Sequence, residues 1–236
     1  MDTPLVNKLI LANVVRLMDQ LVSRASVDRA LRKAGLTRKI LDGRPGYIPF
    51  AKEALFAEAI ARHLGERNIG VIVGEQFRYK ALGWYADYVL AAPTLGLAFE
   101  RGQRALPLLH PGCNVTLSQS STHVVLGLDT RLHPVVGARH VDEVVPFLLA
   151  DLARHFLGET WTPSWVEMTG RNIPSGSALE KSFGVPVRDS EETPAIALDL
   201  QALAAPNPVA RWYWAFAGAS PLRLVILSPA VAPNRT

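Results

Sequence analysis

The residues able to do chemistry in this chain are scattered along it. Six histidines, His63, His110, His123, His133, His140 and His155, offer imidazoles for proton transfer or metal binding. No two of them share a helix face at ligand spacing. His110 and Cys113 stand three apart, but two ligands do not make a zinc site. There is no Gly-x-Ser-x-Gly elbow, no phosphate loop and no Gly-x-Gly-x-x-Gly fingerprint, and Gly70 to Gly74 has the wrong spacing and no following lysine. Glu75 and Glu143 sit in apolar surroundings where burial raises a carboxyl's pKa, although a paired structural carboxylate explains them as well. Cys113, beside a turn, reads as a small packed side chain. These residues predict no catalytic site, no metal and no cofactor.

A binding site for a small molecule fits better. Trp84, Tyr85, Tyr88 and Phe99 supply aromatic walls on two central helices. Thr116, Ser118 and His123 on a hairpin, with Arg78 or Arg101 nearby, can anchor a carboxylate. The same aromatics also suit an ordinary core. The expected ligand is an amino acid, a fatty acid or another small carboxylate.

The elements that must position these groups follow from periodicity. Leu9, Val14, Leu17 and Leu21 predict a helix within residues 4 to 23, and Ser26 can cap a second one that ends before Gly35. A helical turn over 36 to 42 leads to the Arg44-Pro45-Gly46 turn. Pro49 suits the first turn of the next helix, whose stripe is Leu55, Ala59 and Ile60. Pro93 stops one helix near Leu90, and Thr94 caps the next. Gly74, Gly83 and Gly96 fall at helical positions, which argues for close helix packing or close approach of a ligand.

After Leu109 the pattern turns to strands. Val115 and Leu117, then Val124 to Leu128, flank polar residues 118 to 122 as a hairpin. Residues 139 to 157 return to helix, which either starts near Val144 or kinks at Pro146. A strand at Trp165 to Met168, a short helix capped by Ser175 or Ser177, an edge strand at Val185-Pro186-Val187 and a strand at 195 to 200 complete the order. The prediction is α+β: a helical N-terminal half followed by a largely antiparallel sheet with packed helices.

At 236 residues, 49% of them apolar, the chain has ample material for a core. No apolar run reaches the roughly 18 residues that span a bilayer, no secretory signal is evident, and a single cysteine suits a reducing cytoplasm. The formal charge of +4 is spread out, with no basic stripe on one element.

The ordered series Gly70-x-x-x-Gly74-Glu75, Leu82-Gly83-x-x, Ala92-Pro93-Thr94-Leu95-Gly96-x-Ala98 resembles the N-terminal effector-binding (arabinose-binding-type) domain of AraC/XylS-family transcriptional regulators. Ala34-Gly35-Leu36 and Tyr47-Ile48-Pro49 match upstream, and Trp161-x-Pro163-x-x-Val166 and Phe183-Gly184-Val185-Pro186-Val187 match downstream. The resemblance covers roughly residues 10 to 205. Asp189 stands where the family tends to place an aromatic, and Thr169 where it often places a histidine. The resemblance implies a domain, 1–205, that binds a small-molecule effector and dimerises, as a homodimer or with a full-length relative. Such regulators carry two helix-turn-helix units afterwards, roughly a hundred residues more. Residues 206–236, with Arg211-Trp212-Tyr213-Trp214-Ala215-Phe216, show no such pattern and read as the remnant of a truncation or a shifted frame. The expectation is a truncated regulator that does not read DNA by itself. The alternatives are a stand-alone binding protein and, less favoured, an enzyme with an unrecognised site.

Overall fold

A computed structural model describes residues 3–169, 177–190 and 193–209. The tail reading at 211–216 and the alternative cap Ser175 lie outside these residues. The chain opens with β1 (Leu5–Asn7), α1 (Lys8–Leu21), α2 (Arg24–Lys33), α3 (Arg38–Leu41) and β2 (Tyr47–Pro49). Then come α4 (Ala51–Leu64), α5 (Ile69–Gln76), α6 (Trp84–Leu90) and α7 (Leu95–Leu109). The second half holds β3 (Asn114–Gln119), β4 (His123–Asp129), α8 (Ala138–Asp142), α9 (Val145–Leu157), β5 (Trp165–Thr169), α10 (Ala178–Phe183), β6 (Val187–Ser190) and β7 (Ala195–Asp199). The fold is α+β, with helices mostly N-terminal, as expected.

The local chemistry explains most boundaries. Asn7, Ser23, Thr37, Thr94 and Ser177 each accept a hydrogen bond from the first turn of the helix they precede. The cap of α2 is therefore Ser23. The hydroxyl of Ser26, which the sequence offered for that task, instead lies 2.8 Å from Nε2 of His63 and ties α2 to α4. Pro49 ends β2, and α4 begins two residues later. Gly83 is not helical: it joins a 3-10 turn (Tyr79–Leu82) to α6 at φ +64°, a region that favours glycine. Pro146 sits in the first turn of α9, so the helix begins at Val145 without a kink.

The main sheet runs β3-β4-β7-β5-β6. Three of its pairings are antiparallel and the edge pairing β5–β6 is parallel. Helix α9 crosses the face carrying Leu126, Ile196 and Leu198, which are at most 2% exposed. Phe147 of α9 meets Phe183 of α10 at a ring separation of 4.6 Å and lies against Gly74 of α5. The Ala-Pro-Thr-Leu-Gly corner has a structural job. Asn207 donates through Nδ2 to the carbonyls of Leu90 (2.7 Å) and Ala92 (2.8 Å), its own N–H donates to Pro93 O (2.8 Å), and Leu95 N donates to Ala205 O. Gly96 leaves room there for Leu203.

Candidate ligand cavity

Between the helical half and the sheet lies a partly open cavity. Ile10, Val14 and Met18, four apart on α1, form one wall. Phe56 and Ile60 of α4, Ile69 and Val73 of α5, and Val144 and Leu148 near α9 form others, and Leu128 of β4 closes the sheet side. The cavity gives about 70 Å³ to the centre of a water-sized sphere. One water needs roughly 10–15 Å³ on that scale, so the space admits several waters or one small organic molecule.

Four polar side chains reach this apolar lining: Glu53, His110, Thr130 and His140. Glu53 is 9% exposed and His110 7%. Among the described residues that line the cavity, Glu53 Oε2, His110 Nδ1 and His140 Nδ1 are buried without a hydrogen-bond partner. Burial pushes the Glu53 carboxyl up to about 8 and the His110 imidazole down to about 4, because a charge there loses its hydration. Both are therefore uncharged near neutrality. Thr130 donates to Asp142 Oδ1 at 2.8 Å, and burial raises the Asp142 carboxyl. His133 Nε2 lies 3.1 Å from Asp142 Oδ2 and 3.2 Å from the hydroxyl of Thr169. Thr169, the departure from the family's histidine, thus finds a histidine from another segment. Among the described residues, no lysine or arginine lines the cavity.

His140 belongs to two surroundings. It lines the cavity and also an outer cleft with Glu58, Arg62, Glu66, Arg67 and Arg139. Its Nε2 lies 3.2 Å from Glu58 Oε2 and its Nδ1 3.9 Å from Glu143 Oε2. Glu58 pairs with Arg62, and that bond, with a smaller help from His140, holds its carboxyl below the ordinary value. Arg139 donates to Glu143 at 2.7 Å. Gly70 lets α5 approach here: a Cβ on it would stand 2.7 Å from Glu143 Oε2 and would meet the carbonyl of His140.

Residues 25–207 match the family described as the arabinose-binding domain of AraC transcription regulators, N-terminal. The chain belongs to that family. A solved structure of the transcriptional regulator CdpR from Pseudomonas aeruginosa is similar to it at 21% identity and a TM-score of 0.48. That match covers 78% of this chain and 56% of CdpR, so this chain matches little more than half of CdpR's length. No curated protein matches the chain. No helix among the described residues is long and apolar enough to cross a membrane.

None of the six side chains picked from the sequence as ligand contacts lines the cavity of this AraC-type domain. Trp84 and Tyr88 point to solvent, 45% and 44% exposed, with the Arg101 guanidinium 5.2 Å from the Tyr88 ring centre. Tyr85 is buried and donates its hydroxyl to Gly102 O at 3.1 Å, and Phe99 is buried in the same core. Thr116 lies 2.9 Å from the Thr193 hydroxyl. His123 meets the Thr122 hydroxyl at 2.9 Å and its ring centre is 4.8 Å from that of Trp165. Arg78 pairs with Asp151. Glu75 accepts from the Ser182 hydroxyl at 2.6 Å. Cys113 is buried, its thiol pushed up to about 12 by burial.

The cavity's own polar residues left a faint trace in the sequence. Glu53, Phe56 and Ile60 share a helix face, and Phe56 is 1% exposed. Of the stripe read as Leu55, Ala59 and Ile60, Ala59 and Ile60 are buried, but Leu55 is 39% exposed and Phe56 takes its place. With the register corrected, an acid stands on an apolar face. His110, past the end of α7, gave no such signal.

Proposed function

We propose that this regulatory ligand-binding domain of the AraC family senses a small molecule held in the cavity between α1, α4, α5 and α8–α9. The observation that carries the reading is the set of unpartnered buried atoms, Glu53 Oε2, His110 Nδ1 and His140 Nδ1, on residues that line an apolar space large enough for a ligand. Buried polar atoms normally find partners, and leaving one unpaired costs about 1–3 kcal/mol. A ligand supplying partners stabilises the occupied state and shifts any equilibrium between conformations. Because α5, α8 and α4 meet around His140, occupancy bears on how these helices pack. The packing then biases association with a second copy or a full-length relative, and so a DNA-reading domain. The role is regulatory and not catalytic.

Thermal unfolding in the presence of a small-molecule library tests this. A compound that raises the Tm of the wild type should fail with Ala57→Leu, which fills the cavity wall, and should still act on Trp84→Ala. If the shift survives Ala57→Leu and disappears with Trp84→Ala or Tyr88→Ala, the site is on α6 and the cavity reading falls.

A further inference from the structure

Resting on that reading, we propose that the occupant of the cavity is a small primary amine with a compact apolar body, bound as its ammonium ion through Glu53. Three of the polar lining residues, Glu53, His110 and Thr130, are carried by segments that contact one another. Glu53 N donates to Phe50 O at 2.9 Å, and the Phe50 ring centre lies 5.0 Å from that of His110. Cys113 N donates to His110 O at 3.1 Å, and its thiol donates to Thr130 O at 3.5 Å. These links hold the segments of Glu53, His110 and Thr130 together, and the residues that α1, α5 and α9 bring to the cavity are apolar.

With Glu53 ionised, these groups offer acceptors: a carboxylate oxygen of Glu53 and, with the His110 proton on Nε2, the Nδ1 lone pair of neutral His110. The Thr130 proton is committed to Asp142, leaving oxygen lone pairs. An ammonium group brings three N–H donors and no acceptor. A carboxylate ligand would meet the reverse arrangement. It would share the space with Glu53 and find no lysine or arginine among the described residues, and His140 is already flanked by Glu58 and Glu143. An anion buried without a counter-charge is strongly disfavoured.

The proton balance is specific. Near pH 7 the free cavity holds Glu53 protonated, since its carboxyl is pushed up to about 8. Entry of R–NH₃⁺ ionises it: R–NH₃⁺ plus the Glu53 carboxylic acid gives an ammonium–carboxylate pair and releases one proton to solvent. The cavity stays neutral overall. The titratable groups around Glu53 are His110, Cys113 and His140, with Asp142 behind Thr130 and Glu58 and Glu143 behind His140.

The experiment is calorimetric titration of the folded protein at pH 7 with n-butylammonium and cyclohexylammonium, beside butanoate, 1-butanol and L-arabinose, in buffers of different ionisation enthalpy. The amines are expected to bind with release of close to one proton. Glu53→Gln should weaken them roughly 10- to 100-fold, the range of a lost charge-assisted hydrogen bond, and Ala57→Leu should abolish binding. If Glu53→Gln does not fold, proton release by the wild type decides alone. Tighter binding of butanoate, butanol or arabinose than of the amines, sensitive to Ala57→Leu, overturns the amine and leaves the cavity reading standing. Amine binding without proton release overturns the role of Glu53. Silence of every probe overturns the inference, and the library screen then judges the cavity on its own.

Discussion

The α6–α7 layer and the cavity beside α4 are built from similar residues and use them in opposite ways. In the α6–α7 layer, Tyr85 is buried and its hydroxyl reaches a carbonyl, Phe99 is packed, and Trp84 and Tyr88 lie in solvent. Every buried polar group just named is satisfied there. Around the cavity the large side chains stop short of filling the space, and Glu53 and His110 keep unpaired atoms. Aromatic density marks a stable wall; unspent hydrogen-bonding capacity beside empty volume marks a place for something else. The contrast also appears in charge. Surface pairs such as Arg78–Asp151 sit in water at little net gain, whereas Glu53 is desolvated enough to change its protonation.

Several substitutions would break or sharpen that contrast. Phe99→Ala should cost about 3–5 kcal/mol of stability by opening a void in the packed layer, and chemical denaturation should find this while ligand affinity stays unchanged. Gly70→Ala should cost about 1–3 kcal/mol, because α5 must move off α8 to admit a methyl group. Unlike Phe99→Ala, it should also weaken whatever the cavity binds. Equal affinity in both variants would erase the distinction between the regions.

The pH dependence of stability isolates Glu53. Its folded pKa of about 8 lies above its ordinary 4.5, so the folded state holds the extra proton between these values. Its contribution is complete below about 4.5 and is lost as pH rises through 8. His110 acts with the opposite sign, its folded value near 4 lying below its ordinary 6.5. It lends stability above 6.5 that is lost as pH falls through 4. The two cancel between 4.5 and 6.5, so Glu53 shows itself as a loss of about 2 kcal/mol between pH 6.5 and 8. Urea midpoints of the wild type minus those of Glu53→Gln remove the His110 contribution that both proteins share and should fall from about pH 4.5 through 8, and a flat difference would mean that Glu53 is solvated. Smaller effects belong to the other region. Tyr85→Phe should cost about 1 kcal/mol for its lost hydrogen bond. Trp84→Ala and Tyr88→Ala should each stay within about 0.5 kcal/mol, as exposed positions do.

Much of the architecture was legible from residues alone. Pro93 and Thr94 marked the break between α6 and α7, the Val115 to Leu128 pattern gave the β3–β4 hairpin, and Ser177 and Phe183 bounded α10. The motif series led to the family that residues 25–207 match. These signals are local, resting on a fixed φ, a capping oxygen or an alternation within one element.

The cavity was not legible in that way. Whether Glu53 is a solvated helix acid or a buried orphan depends on α1, α5, Cys113 and His110, which come from up to 60 residues along the chain in either direction. Whether Tyr85 lines a pocket or finishes a core depends on Gly102 letting α7 come close. Sequence by itself determined most of the elements, the caps Thr94 and Ser177 and the family, because those follow from neighbours along the chain. Tertiary structure alone decided which polar groups are left without water and without partners, because desolvation and cavity volume are properties of the packing between elements.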